Sequence, residues 1–274
     1  MGFSSVVYRG IRLLCRPFVK LDNRIQCKIA QKEKAKEKAE ADWGQAFPNA
    51  NARDAFFARI GVITHAGGGL QGLAYLNCEE AFPYYYEKGN RVFEYDVDEK
   101  NGAFVLAHVE NGETMDLDGR FSPMSIEKCL DNLKTYPDIT VIFDCKFSNL
   151  TDFARLIKEY VVDETALDRV VIQVFNEENV LQVRSVYDFK TLHVCMLATD
   201  YVQTLQTCIK YHIGAVSIST KALQERFGWE IFEKNNICTF AYTVNTVKTY
   251  RYWKERGITG IFSDFLYDSD LRKE

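Results

Sequence analysis

From Arg59 onward, short apolar runs rich in β-branched and aromatic residues alternate with stretches whose apolar residues recur every three or four positions. That alternation is the signature of consecutive βα units around a parallel sheet. Eight runs predict strands: IGVITH (60–65), RVFEYDV (91–97), ITVIFDCK (139–146), RVVIQVF (169–175), LHVCML (192–197), AVSIS (215–219), CTFAYTV (238–244) and GIFSD (260–264). A further run, AFVLAH (103–108), predicts an extended excursion after the second strand. Between strands, Ile126, Cys129, Leu130 and Leu133, then Phe153, Leu156, Ile157 and Tyr160, have the spacing of helices packed on a sheet. Asn77 with Glu80 reads as a capping box, and Gly89 as a helix stop. Eight such units predict an α/β fold, a (β/α)8 TIM barrel, over residues 53–274. An open doubly wound sheet is the alternative, but neither G-x-G-x-x-G nor a phosphate-cradling Gly-Lys-Ser/Thr follows the first strand.

Residues 1–52 read differently. Val7, Ile11, Leu14, Phe18, Leu21, Ile25 and Ile29 recur at helical intervals, with Arg9, Arg12, Arg16, Lys20 and Arg24 on the other side of the wheel. This basic amphipathic helical arm suits packing on the protein's own core, and equally a peripheral contact with an anionic membrane. Pro17 would kink a single helix, and the charge-dense run at 31–42 reads as a solvated extension. Residues 1–38 hold ten Lys and Arg against Asp22, Glu33 and Glu37, a net +7 that leaves −11 for the rest of a chain whose total is −4. A basic arm thus precedes an acidic body, and nucleic acid is not an expected partner.

The chain has no secretory h-region and nothing near the length of a spanning helix. Eight cysteines without a C-x-x-C pair read as reduced thiols, so a cytoplasmic location is expected, with the membrane periphery as the arm's contribution.

Barrel active sites are built at the C-terminal ends of the strands. There the sequence places His65, then Glu94 and Asp96, then His108 after the AFVLA run, then Asp144 and Lys146. Residues i and i+2 of a strand share a face, so Glu94 joins Asp96 and Asp144 joins Lys146 at the barrel mouth. Three crowded carboxylates repel unless they share a cation, and an all-oxygen set favours a hard divalent ion, Ca²⁺ or Mg²⁺, over zinc. Such an ion with Lys146 would suit a bound phosphate, and two imidazoles on opposite sides of phosphorus could serve as base and acid. His193 reads as a satisfied core histidine. The aromatics Phe82, Tyr84, Tyr85 and Tyr86 read as helix packing, and Ser217 and Ser219 as residues pointing into a polar mouth. No G-x-S-x-G elbow supports a serine nucleophile.

The segments VITHAGG, YLNCEEAFPYYYEKGNRVFEYDVDEKNGAFVLAH, VIFDCK, FAYTVNT and GITGIFSD, in that order from about Gly61 to about Phe265, resemble the glycerophosphodiester phosphodiesterase family. That family lies within the barrel superfamily that includes phosphatidylinositol-specific phospholipase C. The resemblance implies that His65 and His108 are the catalytic pair and that Glu94, Asp96 and Asp144 are metal ligands. It further implies that Lys146 contacts the phosphate, that Tyr242 stands where a family Trp borders the substrate, and that Gln173 to Asn176 matches a family strand end.

Four positions depart from the family pattern: Ala66 for Arg, Leu76 for Glu, Val109 for Asp and Asp144 for Glu. Losing the Arg removes a bidentate phosphate clamp that lysine cannot reproduce, and the joint loss of Arg and Glu avoids stranding one buried charge. The implied activity is metal-dependent hydrolysis of a glycerol-type phosphodiester to an alcohol and a glycerol phosphate, a reaction of lipid metabolism. The competing readings are a non-catalytic barrel binding a phosphorylated glycerol or lipid headgroup, and a phosphodiesterase acting on a phospholipid or surface glycan.

Overall fold

The computed structural model describes residues 53–110, 113, 114, 117, 119–195, 201–225 and 228–271, all within the compact unit Phe47–Glu274. The basic arm predicted for 1–52 lies outside the described residues.

Eight parallel strands close into a barrel: β1 (Val62–Thr64), β2 (Val92–Lys100), β6 (Thr140–Cys145), β7 (Val170–Val174), β8 (Lys190–Val194), β9 (Ala215–Ser219), β10 (Cys238–Tyr242) and β11 (Gly260–Ser263). Each pairs with its sequence neighbour, and the ring is sealed where Thr64 of β1 lies opposite Phe93 of β2 and Val62 opposite Ile261 of β11. All eight lie within the predicted runs, apart from small shifts at their ends.

The excursion is an antiparallel hairpin. β2 continues past the barrel to Lys100, turns at Asn101 (φ 54°) and Gly102 (φ 76°), and returns as β3 (Ala103–Leu106) with Val97 opposite Leu106. Two left-handed residues are what a type I′ turn requires, and Asn-Gly is the pair that adopts them most cheaply. A second small hairpin, β4 (Val109–Glu110) and β5 (Glu113–Thr114), follows.

The helices are built as the periodicity predicts. α1 (Ala55–Ala58) is capped by Asp54, whose carboxylate accepts from Phe56 N at 2.8 Å. It inserts Phe57 among the inward residues at the N-terminal ends of the strands, against Phe240, and so plugs the barrel floor. α2 (Ala81–Glu87) buries Phe82 and Tyr85. α3 (Ile126–Thr135) is capped by Ser125 and buries Ile126, Cys129, Leu130 and Leu133. In α4 (Leu150–Tyr160), Phe153 and Ile157 are buried as expected, while Leu156 and Tyr160 are half-buried. Cys78, Cys129, Cys145, Cys195, Cys208 and Cys238 are buried free thiols. No helix among the described residues is long and apolar enough to cross a membrane.

One local prediction fails. α2 begins at Ala81 behind Glu80, and Asn77 does not cap it. Asn77 is buried in a left-handed conformation (φ 43°) with its side chain turned to Asp96, while the Glu80 carboxylate accepts from Ser122 N at 3.0 Å. Gly89, at φ 98°, ends the helix as read.

Candidate active site

The inward face of the barrel changes character at one level. Ile63, Val92, Ile142, Val171, Leu192, Ala215, Cys238 and Phe240 form the apolar interior around Phe57. Two residues further along most strands, the same inward direction brings His65, Glu94, Asp144, Gln173, Ser217 and Tyr242 to a cavity of about 170 Å³. Asp96 and Lys146, one more step up β2 and β6, complete the rim with His108 and Tyr75.

His65 ends β1 and opens a single 3-10 turn, His65–Gly67. Its Nδ1 lies 2.7 Å from Oδ1 of Asp264, just past β11, leaving Nε2 as the ring nitrogen available to the cavity. Asp264 is itself fixed: Asn245 Nδ2 donates to its Oδ2 at 2.7 Å, and its own N–H donates to Asn245 Oδ1 at 2.8 Å. Burial disfavours the His65 imidazolium, but the Asp264 hydrogen bond and the negative charge of Glu94, Asp264 and Asp96 outweigh it, raising the pKa to about 9. His108 is delivered by the β2–β3 hairpin, where Ala107 N donates to Asp96 O at 3.0 Å, and its Nδ1 stands 3.4 Å from Asp96 Oδ1 without a hydrogen bond. The ring of Tyr75 touches both imidazoles, edge-on to His65 at 5.1 Å and tilted over His108 at 4.4 Å.

Glu94, Asp96 and Asp144 each bring a carboxylate oxygen within 4.8 Å of the others. Glu94 Oε2 accepts from Ala66 N at 2.7 Å. Asp96 is held by Asn77 in both directions, Nδ2 donating to its Oδ2 at 3.2 Å and its N–H donating to Asn77 Oδ1 at 3.1 Å. Lys146 Nζ is bonded to Asp144 Oδ2 and lies 3.3 Å from Asp96 Oδ1. One oxygen of Glu94 and one of Asp144, both buried, have no partner. Burial, then repulsion from Asp96, raises the Glu94 pKa to about 8. Asp96 is also buried, but His108, Lys146 and His65 overcome that and hold it at about 2. Orphaned buried carboxylate oxygens with a carboxyl forced toward neutrality fit a hard divalent cation, which would satisfy both at once. Lys146 is pushed upward by Asp144 and Asp96 despite its burial, so it stays an ammonium.

At Gly68 and Gly69 the loop after His65 has no room for a side chain. A Cβ on Gly68 (φ 101°) would lie 2.3 Å from the ring of Tyr85, and one on Gly69 would lie 2.4 Å from Phe265. The Tyr85 hydroxyl is shared between Gly69 O at 2.7 Å and Asp264 O at 2.5 Å, tying this loop to the end of β11. Ala66, where the resemblance would put Arg, is fully buried with φ 47°. Leu76, where it would put Glu, turns to a separate cavity of about 720 Å³ bounded by Phe104, Leu106, Phe121 and Met124.

His65, His108, Glu94, Asp96, Asp144, Lys146, Tyr242 and Gln173 therefore meet around one cavity. His193 is buried on β8 as read, but its Nδ1 lacks a partner, and burial lowers its pKa. Sequence reasoning missed Asp264, Asn77, Asn245 and Tyr75 as parts of the site. Only Asp264 carried a usable signal, as the polar residue two beyond inward Phe262 at a strand end.

No protein-family model matches the chain, and no curated protein matches it. Solved structures do. It is similar to a phosphodiesterase of Oleispira antarctica in complex with the product sn-glycerol-3-phosphate (TM-score 0.60, 14% identity, 78% of this chain and 95% of that one). Glycerophosphodiester phosphodiesterases of Thermotoga maritima (0.57, 18%, 75% and 95%) and Parabacteroides distasonis (0.57, 17%, 74% and 91%) are similar to the same degree. The chain is accordingly a (β/α)8 barrel with the fold of the glycerophosphodiester phosphodiesterases.

Proposed function

We propose that the chain is a phosphoric diester hydrolase that cleaves a glycerol-type phosphodiester to an alcohol and a phosphomonoester. The observation that carries this reading is the convergence, around one cavity, of a carboxylate cluster with orphaned oxygens and two histidines, one of them backed by a carboxylate. The fold shared with proteins of that activity, one of them holding glycerol phosphate, supports it.

Glu94, Asp96 and Asp144 would hold Ca²⁺ or Mg²⁺, which when bound supplies charge stabilisation to phosphoryl oxygens. Lys146 adds a fixed ammonium beside the same oxygens. His65, kept protonated by Asp264, donates from Nε2 to the departing alkoxide oxygen. His108 accepts the proton of the attacking water, or of a neighbouring substrate hydroxyl. The new P–O bond forms as the P–O bond to the alcohol breaks, and one proton crosses from nucleophile to leaving group through the pair. Tyr75, packed against both rings, positions the pair.

Hydrolysis of glycerophosphocholine and glycerophosphoethanolamine by the purified chain, with Ca²⁺, with Mg²⁺ and with EDTA, tests this. Metal-dependent turnover that vanishes in His65→Ala is expected. A folded, metal-binding protein with no turnover on either diester would overturn it in favour of a barrel that only binds a phosphorylated glycerol.

A further inference from the structure

Between Ala66 and Asn77 the chain leaves the barrel and returns to where it began: Asn77 N donates to Ala66 O at 2.8 Å, which closes an Ω-loop over residues 67–76. The first half of the loop is tied down. Gly69 N donates to Asp264 O at 2.7 Å, and Leu70 and Leu73 exchange backbone bonds of 3.0 and 2.9 Å around the exposed, left-handed pair Gln71 and Gly72. The second half is not: among the described residues, the backbone of Ala74, Tyr75 and Leu76 makes no hydrogen bond to another backbone group. This unbonded strut is also a partition between two cavities. On one side Tyr75 lines the active-site cavity of about 170 Å³, its ring on both imidazoles and its hydroxyl turned to Thr243, just past β10. On the other side Leu76 lines the cavity of about 720 Å³.

Pockets that enclose small ligands span about 300–1,000 Å³. The front cavity falls short of that, and so of a diester with an organic group on each side of phosphorus, while a larger space lies directly behind the strut. Segments with few backbone hydrogen bonds open at low free-energy cost, and Tyr75 sits at a φ of 59°, from which relaxation is downhill for a bulky residue. We propose that Tyr75 and Leu76 form a retractable wall: the strut withdraws toward the rear cavity and takes the Tyr75 ring out of the mouth to admit a phosphodiester, then returns to set the ring against His65 and His108. With the wall forward, the front cavity suits an anion no larger than phosphate. The inference rests on the phosphodiesterase reading for what enters; the movement itself does not.

Spin labels at Gln71→Cys, on the exposed loop tip, and Leu181→Cys, 54% exposed on the helix Glu177–Arg184, report the movement by pulsed electron–electron distance measurement on the full chain. Cys15 and Cys27 are changed to Ser, the other six thiols being buried. Two distances are expected in the ligand-free protein. Val105→Trp, which fills the rear cavity from a half-buried position on its lining, should leave one; Leu117→Trp, on the same lining, replaces it if the first variant melts below the wild type. Titration of the unlabelled chain in Ca²⁺ then compares inorganic phosphate with an analogue of glycerophosphocholine whose two bridging oxygens are methylenes, which cannot be hydrolysed. The filled variant should bind the analogue about tenfold more weakly and phosphate as before, since it holds back the state that admits the larger ligand. A single distance in the wild type, two distances that neither tryptophan alters, or an equal loss of affinity for both probes would overturn the wall. Two distances that collapse on filling, in a protein that binds neither probe, would uphold the wall and count against the phosphodiesterase.

Discussion

Nδ1 of His65 and Oδ1 of Asp264 lie 2.7 Å apart although 199 positions separate them in the chain. They meet because β1 and β11 are neighbours across the barrel's closure, Thr64 pairing with Ser263 immediately before each. Asp264→Asn keeps the size and removes the charge. The His65 pKa, read by NMR in metal-free protein, should fall from about 9 toward its ordinary value. Diester turnover should fall by about 10²–10⁴-fold, the range of a general acid's contribution. A variant with wild-type kcat would disprove the role given to the pair.

Metal removal should make stability depend on pH in a definite direction. A Glu94 carboxyl with a pKa of about 8 in the fold holds a proton that the unfolded chain releases near pH 4.3, so the metal-free protein loses stability as pH rises through that interval. His65 acts the same way: its contribution is fully present below about pH 6.5 and lost as pH rises through about 9. Asp96, held at about 2, contributes stability above its unfolded value that disappears only in acid. Melting temperatures in EDTA should therefore decline between pH 5 and 9, and Ca²⁺ should restore most at the alkaline end. Glu94→Gln should flatten the decline and weaken the ion's effect; an unchanged Ca²⁺ response in that variant would exclude the cluster as the binding site.

Tyr75 holds a left-handed backbone (φ 59°) that a bulky side chain adopts only when its surroundings compel it. Its ring packs against both imidazoles. Tyr75→Phe preserves both ring contacts and should keep most of kcat, while Tyr75→Ala should lower kcat by about tenfold or more with little change in melting temperature. Equal kcat in both variants would show that the ring does not position the pair.

Gly68→Ala combines a strained φ of 101° with a methyl 2.3 Å from the Tyr85 ring. It should cost about 2–4 kcal/mol in denaturant unfolding, with loss of activity because the displaced Tyr85 also supports Asp264. Gly102→Ala, at φ 76° but with no atom within 4 Å of the added methyl, should cost about 1 kcal/mol and serves as the comparison.

The barrel was legible because inward and outward positions of each strand are written in a two-residue period, and the helices between them in another. The extended run after β2 was legible from its apolar residues, but its return as a hairpin through Asn101–Gly102 was not read, although that pair is a local turn signal. His65, Asp144 and Lys146 could be placed because each stands at the end of a strand, and Glu94 and Asp96 because they lie where β2 reaches the barrel mouth before running on to Lys100. Asn77 was misread for the opposite reason: a polar residue three before Glu80 satisfies a local capping pattern, while its real partner, Asp96, is 19 positions away on β2. Asp264, Asn245 and Tyr75 acquire meaning only through contacts closed by the ring, which no local period encodes. Ser217 reads the same in sequence whether or not its hydroxyl has a partner.

The single level at which the barrel interior turns from apolar to polar divides the mutational history open to this protein. Below it, exchanges at Ile142, Val171 or Phe240 are judged by whether the chain folds at all; above it, exchanges at Asp144, Gln173 or Ser217 are judged by what the cavity accepts. Because the two sets lie on the same strands but two residues apart, drift toward a new substrate need not pass through an unfolded ancestor.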